Sequence, residues 1–306
     1  MTGRDDAGRD DPFAACRGRL LGLAYRMLGS RADAEDVLQD AYLRFRGADQ
    51  GRIRTVEAFL VTTVTRLCLD RLKSARAKRE VYVGPWLPEP VIDGEALSPE
   101  TAVEIADDLS FALMLTLEKL SAPERAAFLL HDVFDAPFSQ IAESLGKSEA
   151  ACRQLAARAR KAVRGERPSR PASQEAHAAL LERFAEALAT GDASRLEALL
   201  TADAVAYSDG GGIKVAALNP VLGAERVALF FAGLARKHRA RGGTFAFHAA
   251  EINGAPGFVV YVDGLLDHTF SIDVRDDRIA AIYVVRNPEK LAAIAAAFAA
   301  DEASVC

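Results

Sequence analysis

The stretch FSQIAESLGKSEAACRQLAARARKAVR, residues 138–164, decides the fold of the middle of this chain. A short amphipathic helix is predicted to end at Gly146, because glycine readily adopts the left-handed conformation that terminates helices. Ser148 is placed to cap a second helix. Ala142, Gly146 and Cys152 occupy the small-residue, glycine-turn and buried-apolar positions of a helix-turn-helix. That spacing alone also fits an ordinary helical hairpin.

Basic side chains on the second helix favour DNA binding over the plain hairpin. The first two turns, which enter the major groove in helix-turn-helix proteins, contain Arg153 and Gln154. These side chains can make bidentate contacts to guanine and adenine, whereas Arg158, Arg160 and Lys161 are placed to contact phosphates. The candidate DNA contacts are Lys147, Ser148, Glu149, Arg153, Gln154, Arg158 and Lys161.

The composition is that of a globular protein with two or three domains: 306 residues, 50% hydrophobic and 26% charged. No run of about eighteen apolar residues is present. The acidic start is unlike a secretory signal, so a cytoplasmic protein without membrane association is expected. The four cysteines are scattered, which argues against structural zinc and a disulfide framework. Neither a metal nor a cofactor is predicted.

The charges separate into blocks, although the net charge of −5 is by itself unfavourable for nucleic-acid binding. Acidic residues cluster in DAEDVLQD (33–40), and basic residues cluster in RLCLDRLKSARAKR (66–79) and in residues 147–170. One acidic and two basic surfaces predict different binding partners for different parts of the chain.

Apolar residues recur at helical spacing through residues 12–80, which predicts an all-α first part ending in a long basic helix. Prolines then break the periodicity, and YVGPWLPEP (82–90) contains the only tryptophan of the chain. Further helices are expected to begin near SPET (98–101) and after Ser121, which forms a capping box with Glu124.

After a proline-containing linker the pattern changes. A predicted helix leads into segments that alternate apolar and polar residues as β-strands do: TFAFHAAEI (244–252), GFVVYVDG (257–264) and HTFSIDVRDDRIAAIYVVR (268–286). Helices followed by hairpin-linked strands predict an α+β domain with a curved antiparallel sheet. A last helix is expected to start at Asn287 and Pro288.

Three motifs resemble ECF (extracytoplasmic function) sigma factors, the two-domain bacterial initiation factors. YRMLGSRADAEDVLQDAYLRF (25–45) is similar to the helices that bind the clamp of RNA polymerase. FLVTTVTRLCLDRLKSARAKRE (59–80) is similar to the helix at the −10 promoter element, and residues 138–164 resemble the helix-turn-helix that binds the −35 element. The motifs occur in the order and spacing of the two sigma domains.

Residues 174–290 resemble a SnoaL-like domain, related to ketosteroid isomerase and nuclear transport factor 2, which one subgroup of these sigma factors carries as a tail. Members of that subgroup show WLPEP, DGGGK-like and NPDKL-like motifs. This chain has WLPEP (86–90), DGGG (209–212) and NPEKL (287–291). It departs from the pattern through Ile213, which separates the glycines from the lysine, and through a glutamate in place of the aspartate.

Together the resemblances imply a multidomain fold, with two all-α sigma domains followed by an α+β cone-shaped SnoaL-like barrel. The implied segments are sigma region 2 (10–80), a linker with WLPEP (81–107), sigma region 4 (108–166, with the helix-turn-helix at about 139–158), a second linker (167–173), a SnoaL-like regulatory domain (174–292), and a C-terminal helix and tail (293–306).

The first resemblance also implies where each partner binds, with a solvated helix surface as the alternative for each charged run. The beta and beta-prime subunits of core RNA polymerase are expected to contact Asp33, Asp36, Gln39, Asp40 and Leu43. Promoter DNA is expected to contact Arg66, Arg71, Lys73 and Arg76 at the −10 element. The helix-turn-helix contacts given above are expected at the −35 element.

The second resemblance implies a regulatory contact between the sigma domains and the tail. Its expected residues are Trp86, Leu87, Pro88, Asp209, Gly210, Gly211, Gly212, Asn287 and Pro288. We hypothesise that the tail packs across both sigma domains as a built-in anti-sigma domain, and that the free chain is monomeric. Packing of Trp86 on its own sigma domain is the simpler alternative.

The predicted function is promoter-specific transcription initiation with core RNA polymerase, without catalysis by this chain. One alternative is a bifunctional protein whose tail binds or converts a small molecule. Candidate bases for that chemistry are Asp263, Asp267, His248 and His268, although no catalytic constellation is evident in the sequence. A second alternative is a plain helix-turn-helix DNA-binding regulator.

Overall fold

The computed structural model describes residues 12–92, 109–166 and 173–304. The side chains of residues 75–80, 165–166 and 299–304, and the helix start predicted near residues 98–101, lie outside this description. The chain divides into two units. The first unit contains the helices that the resemblance assigns to the sigma domains. The second contains the C-terminal domain together with residues 79–94 and 110–112, so the proline-rich connector is grouped with the tail.

The first unit is built from helices. Its N-terminal part comprises α1 (Pro12–Leu28), α2 (Arg31–Gly47), a 3₁₀ turn (Gln50–Arg52) and α3 (Val56–Glu80). The remainder comprises α4 (Phe111–Lys119, whose first two residues are grouped with the second unit), α5 (Ala122–Phe128), a π-helical turn (Leu129–Val133), α6 (Phe138–Leu145) and α7 (Glu149–Glu166). Apolar residues at helical spacing, such as Leu20, Leu23 and Val37, are fully or almost fully buried where α1 packs against α2.

Helix-end signals act as the sequence predicts. Gly146 ends α6 in the left-handed conformation, with φ of 61°. The Ser148 hydroxyl accepts a hydrogen bond from the Ala151 N–H at 3.2 Å at the start of α7, and Cys152 is buried where α7 packs against α6. The helix-turn-helix is therefore confirmed. The capping box before α5 is present too, since the Ser121 N–H donates to a glutamate carboxylate at 3.2 Å.

The second unit packs helices against a sheet that has six strands within the described residues. The helices are α8 (Gln174–Thr190), α9 (Ala193–Ala198), α10 (Ala224–Arg239) and α11 (Ala292–Ser304). The strands are β1 (Leu200–Asp209), β2 (Val221–Leu222), β3 (Phe245–Ile252), β4 (Ala255–Val262), β5 (Leu265–Arg275) and β6 (Arg278–Val285), in the order β2-β1-β6-β5-β4-β3. Phe184, Phe231 and Phe270 pack together in the core between the helices and the sheet.

Two details differ from the sequence-based expectation, while the prediction of α-helical sigma domains followed by an α+β domain is confirmed. The sheet is not wholly antiparallel, because β1 pairs in parallel with β6. β1 and β6 are far apart in sequence, and the alternation of apolar and polar residues along one strand does not indicate which strand it pairs with. The last helix begins at Ala292 and not at Asn287. The Asn287 side chain accepts the Glu289 N–H at 3.0 Å, and this turn delays the helix.

Candidate functional site: the connector anchor and the sigma surfaces

Asp209 is a fully buried carboxylate at the end of β1. Its Oδ1 accepts hydrogen bonds from the Tyr82 hydroxyl at 2.6 Å and the Gly211 N–H at 3.0 Å. Its Oδ2 accepts from the Leu87 N–H at 2.9 Å and the Lys290 ammonium at 2.7 Å. A buried charge is stable only when it is paired and hydrogen-bonded, and here the partners come from the connector, the DGGG loop and the NPEKL segment. One side chain therefore joins all three motifs.

The main chain of Asp209 adds further bonds. Its carbonyl oxygen accepts the N–H of Arg286 at 2.7 Å and that of Asn287 at 2.9 Å. Asn287 also donates through Nδ2 to the Tyr82 hydroxyl at 3.0 Å. Burial, and then the adjacent Asp209 carboxylate, raise the pKa of Tyr82 well above its ordinary value. Tyr82 is therefore a neutral hydroxyl that donates to the carboxylate and accepts from the amide.

Lys290 fixes the aromatic part of the connector. Its ammonium lies 4.3 Å from the ring centroid of Trp86 and 5.1 Å from that of Tyr82, within range for cation–π attraction. It also donates to the carbonyl oxygen of Leu87, whose side chain is fully buried. Pro88 is buried as well, whereas Pro288 is exposed. Of the expected regulatory residues, Trp86, Leu87, Asp209, Gly211 and Asn287 are thus joined through Lys290 and the groups of Asp209.

The DGGG loop requires glycine because other atoms approach its backbone closely. A Cβ on Gly210 would lie 2.1 Å from a carbonyl oxygen of the same loop, and one on Gly211 would lie 2.4 Å from Nδ2 of Asn287. Gly211 also has a positive φ of 63°. A Cβ on Gly212 would lie 3.3 Å from Val83 of the connector. These contacts favour a docking loop over a free turn between strands.

A second point of attachment lies further along the connector. The Val91 N–H donates to Oδ1 of Asn253 at 3.0 Å, and the Asn253 N–H donates to the Val91 carbonyl oxygen at 2.8 Å. Sequence reasoning missed Tyr82 and Asn253, since each partner is remote in sequence, and it gave Lys290 no role beyond the NPEKL motif. We call the following residues the connector anchor: Tyr82, Leu87, Val91, Asp209, Asn253, Asn287 and Lys290.

In the first unit, the acidic face of α2 is paired with Arg71 of α3. The guanidinium lies 3.1 Å from Asp33, 3.3 Å from Asp36 and 3.8 Å from Asp40. Arg71 was expected to contact DNA at the −10 element, but it lies among the residues expected to contact polymerase. The expected polymerase contacts Asp33, Asp36, Gln39, Asp40 and Leu43 are all exposed.

The other residues expected at the −10 element have mixed environments. Arg66 donates to the carbonyl oxygens of Glu143 at 2.7 Å and Ser144 at 3.4 Å, at the end of α6. Lys73 is exposed and pairs with a neighbouring aspartate at 2.8 Å. The side chain of Arg76 lies outside the described residues. One expected DNA contact is therefore bonded to the helix-turn-helix.

Helices from the two sigma regions pack on one another within the first unit. The hydroxyls of Thr62 on α3 and Ser144 on α6 are 3.1 Å apart, and both residues are buried. Arg19 on α1 donates to the Phe134 carbonyl oxygen at 2.6 Å. Arg125, which is 3% exposed, donates to a carbonyl oxygen in the last turn of α1 at 2.6 Å. These polar contacts, which are buried at Thr62, Ser144 and Arg125, connect the N-terminal helices to the helix-turn-helix part.

The expected −35 contacts lie on an open surface. Arg153 pairs with Glu149 one turn earlier at 2.6 Å, and Arg158 pairs with Glu124 at 2.8 Å. Exposed pairs of this kind contribute about 0–1 kcal/mol, so they can exchange for DNA phosphates or bases. The exposed residues are Lys147, Ser148, Glu149, Arg153, Gln154, Arg158 and Lys161.

The four candidate bases do not form one cluster. Asp267 and His268 are in contact, with Oδ2 and Nδ1 2.9 Å apart. Asp263 accepts the Thr244 N–H at 2.8 Å beside a turn, and His248 packs edge-on against the ring of Tyr261, with centroids 5.0 Å apart. Only the first two line the cavity discussed below.

Comparisons with known proteins agree with this geometry. The family models "Sigma-70 region 2" and "Sigma-70, region 4" match residues 13–78 and 110–163. ECF RNA polymerase sigma factor SigJ of Mycobacterium tuberculosis is 41% identical over 292 residues, which cover 91% of each chain. Probable ECF RNA polymerase sigma factor SigI of the same species is 31% identical, covering 92% of this chain and 95% of its own.

A solved structure extends the likeness to the tail. The crystal structure of the M. tuberculosis extracytoplasmic function sigma factor SigJ superposes with a TM-score of 0.72 at 37% identity. It covers 92% of this chain and 97% of the SigJ chain.

The helix-turn-helix, the helical region before it and these matches define the class: sigma factors, which bind core RNA polymerase and direct transcription initiation at promoters. Within that class, this chain belongs to the ECF RNA polymerase sigma factors and, like SigJ, extends into a C-terminal domain. The predicted family and sigma-factor function are thereby confirmed. No helix among the described residues is long and apolar enough to cross a membrane.

Proposed function

We propose that the α2 face binds the beta and beta-prime subunits of polymerase, that α3 and α7 bind the −10 and −35 elements, and that the C-terminal domain restrains initiation by binding the connector. The observation that carries this proposal is the buried Asp209 carboxylate, which bonds to Tyr82 and Leu87 of the connector. Because the connector joins α3 to α4 along the chain, ordering it limits the separations that the two sigma regions can adopt.

The two sigma regions must move apart to bind both promoter elements, because the spacing of the elements on DNA exceeds the distances within the packed first unit. Promoter elements named for positions −10 and −35 are about 25 base pairs apart, which is roughly 85 Å of B-DNA at ~3.4 Å per base pair. Thr62 and Ser144 of the two regions are in contact at 3.1 Å. Even the far end of α7 lies only about 30 Å from its start, at ~1.5 Å per residue. The packed arrangement of the first unit therefore supports a resting state that opens before both elements are bound.

Run-off transcription with core polymerase tests the proposal. We expect Tyr82→Phe, which removes only the hydroxyl that donates to Asp209, to raise transcription, and Asp209→Asn to raise it further. Asp203→Asn is the matched control on the same strand, because its carboxylate is exposed and pairs with Arg275. A chain ending near Arg164 reports the activity without the tail. Equal transcription from all these versions contradicts restraint by the tail.

A further inference from the structure

A cavity of about 430 Å³ lies in the second unit between α10 and the sheet. Its size is within the range of small-molecule sites in proteins, about 300–1,000 Å³. Most of its wall is apolar, with aromatic rings on both sides. The aromatic lining residues are Phe230, Phe231, Phe245, Phe247 and Phe270. Asp267, His268 and Arg286 form a polar cluster in this wall.

The polar cluster is ordered by charge-assisted hydrogen bonds. Arg286 donates to both carboxylate oxygens of Asp267, at 3.1 and 2.8 Å, and the Lys214 ammonium lies 3.5 Å away. Burial raises the pKa of Asp267, but the hydrogen bonds from His268 and Arg286 outweigh it and leave that pKa well below its ordinary value. Asp267 is therefore an ionised acceptor for Nδ1 of His268, at 2.9 Å.

His268 offers an acceptor that nothing in the described chain uses. Burial lowers the pKa of His268, although Asp267 opposes the shift, so the ring is neutral at physiological pH. A neutral ring beside an ionised carboxylate carries its proton on Nδ1, which leaves Nε2 unprotonated. Among the described residues, no hydrogen-bond partner is found for Nε2. Arg286, by contrast, is already bonded to Asp267 and to the Val215 carbonyl oxygen.

We propose that this cavity binds an uncharged apolar molecule with a hydroxyl group, such as a phenol, whose O–H donates to Nε2 of His268. The aromatic wall accommodates the ring or chain of such a molecule. The proposed contact requires a hydroxyl donor, because a carboxylate has no proton to donate to an unprotonated nitrogen, and the guanidinium of Arg286 is already paired with Asp267. Lys237 and Arg241 also line the cavity, so an anionic probe has to be compared directly with the hydroxyl compound.

Residues of the cavity wall directly adjoin the connector anchor along the chain, and in this respect the inference rests on the proposed function. Ser208, which lines the cavity, directly precedes Asp209, and Arg286 directly precedes Asn287. Val215, which also lines the cavity, follows the DGGG loop. In the structure, the cavity is formed while the connector is bound to the connector anchor, so one conformation has both features. A ligand that binds this conformation stabilises it over others, so occupancy strengthens the restraint and lowers transcription.

Calorimetric titration of the full chain tests the site with three probes of the same ring system. The probes are 2-naphthol, 2-methoxynaphthalene, which lacks the donor, and 2-naphthoate, which is anionic. We expect 2-naphthol to bind about threefold to tenfold more tightly than the ether, the effect of one neutral hydrogen bond. Absence of 2-naphthol binding, equal binding of the ether, or tighter binding of 2-naphthoate overturns the proposal.

Substitution of His268 locates the acceptor. His268→Asn keeps an amide N–H that can reach Asp267 but has no atom at the Nε2 position. We expect it to lose the preference for 2-naphthol over the ether. His248→Asn is the matched control, because His248 lies on β3 outside the cavity lining, and it should keep the preference. If His268→Asn still binds 2-naphthol more tightly than the ether, Nε2 of His268 is not the acceptor. The comparison of 2-naphthol with 2-methoxynaphthalene on the unaltered chain tests the site even if that variant does not fold.

Hydrogen exchange and run-off transcription test the coupling. Saturating 2-naphthol should slow exchange of the Leu87 and Val91 amides, which donate to Asp209 and Asn253. It should also lower transcription by the full chain but not by Asp209→Asn. Binding without slower exchange overturns the coupling alone. Failure of Asp209→Asn to raise transcription without ligand contradicts the proposed function, whatever the cavity binds.

Discussion

Carboxylates serve opposite purposes in the two units of this chain. Asp209 is fully buried, and connector, loop and lysine groups occupy both of its oxygens. Asp33 and Asp36 on α2 are more than half exposed, at 54% and 65%, and share Arg71. Removing one partner of a buried pair costs about 3–5 kcal/mol, whereas an exposed pair contributes about 0–1 kcal/mol. The connector is therefore firmly bound, while the surface expected to meet polymerase exchanges its partners easily.

The difference in burial between these carboxylates indicates which surfaces can bind a partner and which can restrain the chain. Surfaces that must bind a second molecule gain nothing from strong internal pairs, because each pair has to be broken on binding. A contact that restrains the chain, in contrast, has to remain closed against thermal fluctuations. This requires buried polar groups whose hydrogen bonds are all made within the protein. Four predictions test that contrast.

The largest effect is expected from Asp209→Asn. The amide NH₂ then faces the Leu87 N–H and the Lys290 ammonium, which lose their acceptor in a buried place. We expect the free energy of unfolding of the second unit to fall by about 3 kcal/mol or more. Trp86 is the only tryptophan, so its fluorescence measures this loss directly. The exposed control Asp203→Asn should cost less than about 1 kcal/mol, and equal costs for the two would remove the contrast.

A smaller loss of unfolding free energy of the second unit is expected from Gly211→Ala. Its Cβ would lie 2.4 Å from Nδ2 of Asn287, a side chain that must then release Tyr82. Gly242→Ala is the matched control, because Gly242 has a similar φ of 73° but open space around the added carbon. We expect the control to lose about 1 kcal/mol from left-handed strain alone, and Gly211→Ala to lose about 1–3 kcal/mol more. Chemical denaturation followed by Trp86 emission provides both values.

The third prediction concerns the open DNA-binding surface. Arg153→Ala removes an exposed side chain placed to contact a base, so transcription from a −35-dependent promoter should fall about tenfold, as for one lost base contact. Binding of core polymerase and the melting temperature should hardly change, since the pair with Glu149 is exposed. A parallel loss of polymerase binding would place Arg153 in the fold and not in the interface.

The smallest effect is expected from Arg71→Ala. Although Arg71 lies near three carboxylates, its pairs are exposed, so the free energy of unfolding of the first unit should fall by less than about 1 kcal/mol. Thermal unfolding followed by circular dichroism measures this change. A loss comparable with that of Asp209→Asn would mean that the α2 face is as firmly fixed as the connector anchor.

The local elements of this fold were accessible from the sequence, because each depends on neighbouring residues. Gly146, Ser148 and Cys152 lie within seven positions and define the helix-turn-helix. The WLPEP, DGGG and NPEKL motifs were recognised by resemblance, but the atoms that join them were not. Tyr82 and Asn287 are 205 positions apart, and no local pattern records such a contact. The parallel pairing of β1 with β6 escaped for the same reason.

The polar cavity also required three-dimensional information. Asp267 and His268 were candidates together with Asp263 and His248, and the sequence offered no ground for choosing between the two pairs. The contact with Arg286 distinguishes Asp267 and His268 from the other pair, because it keeps Asp267 ionised as the partner of the His268 imidazole. Its position at the end of β6 becomes meaningful only after the strands have paired.

The long separation between Tyr82 and Asn287 has a consequence for the newborn protein. A ribosome that adds about 5–20 residues per second needs roughly 10–40 s to travel from one to the other, since they are 205 positions apart. Both sigma regions leave the ribosome before Asn287 and Lys290 are made. Under the restraint proposed above, the two sigma regions are therefore made before the residues of the connector anchor that restrain them, and a nascent chain at this stage is an unrestrained initiation factor.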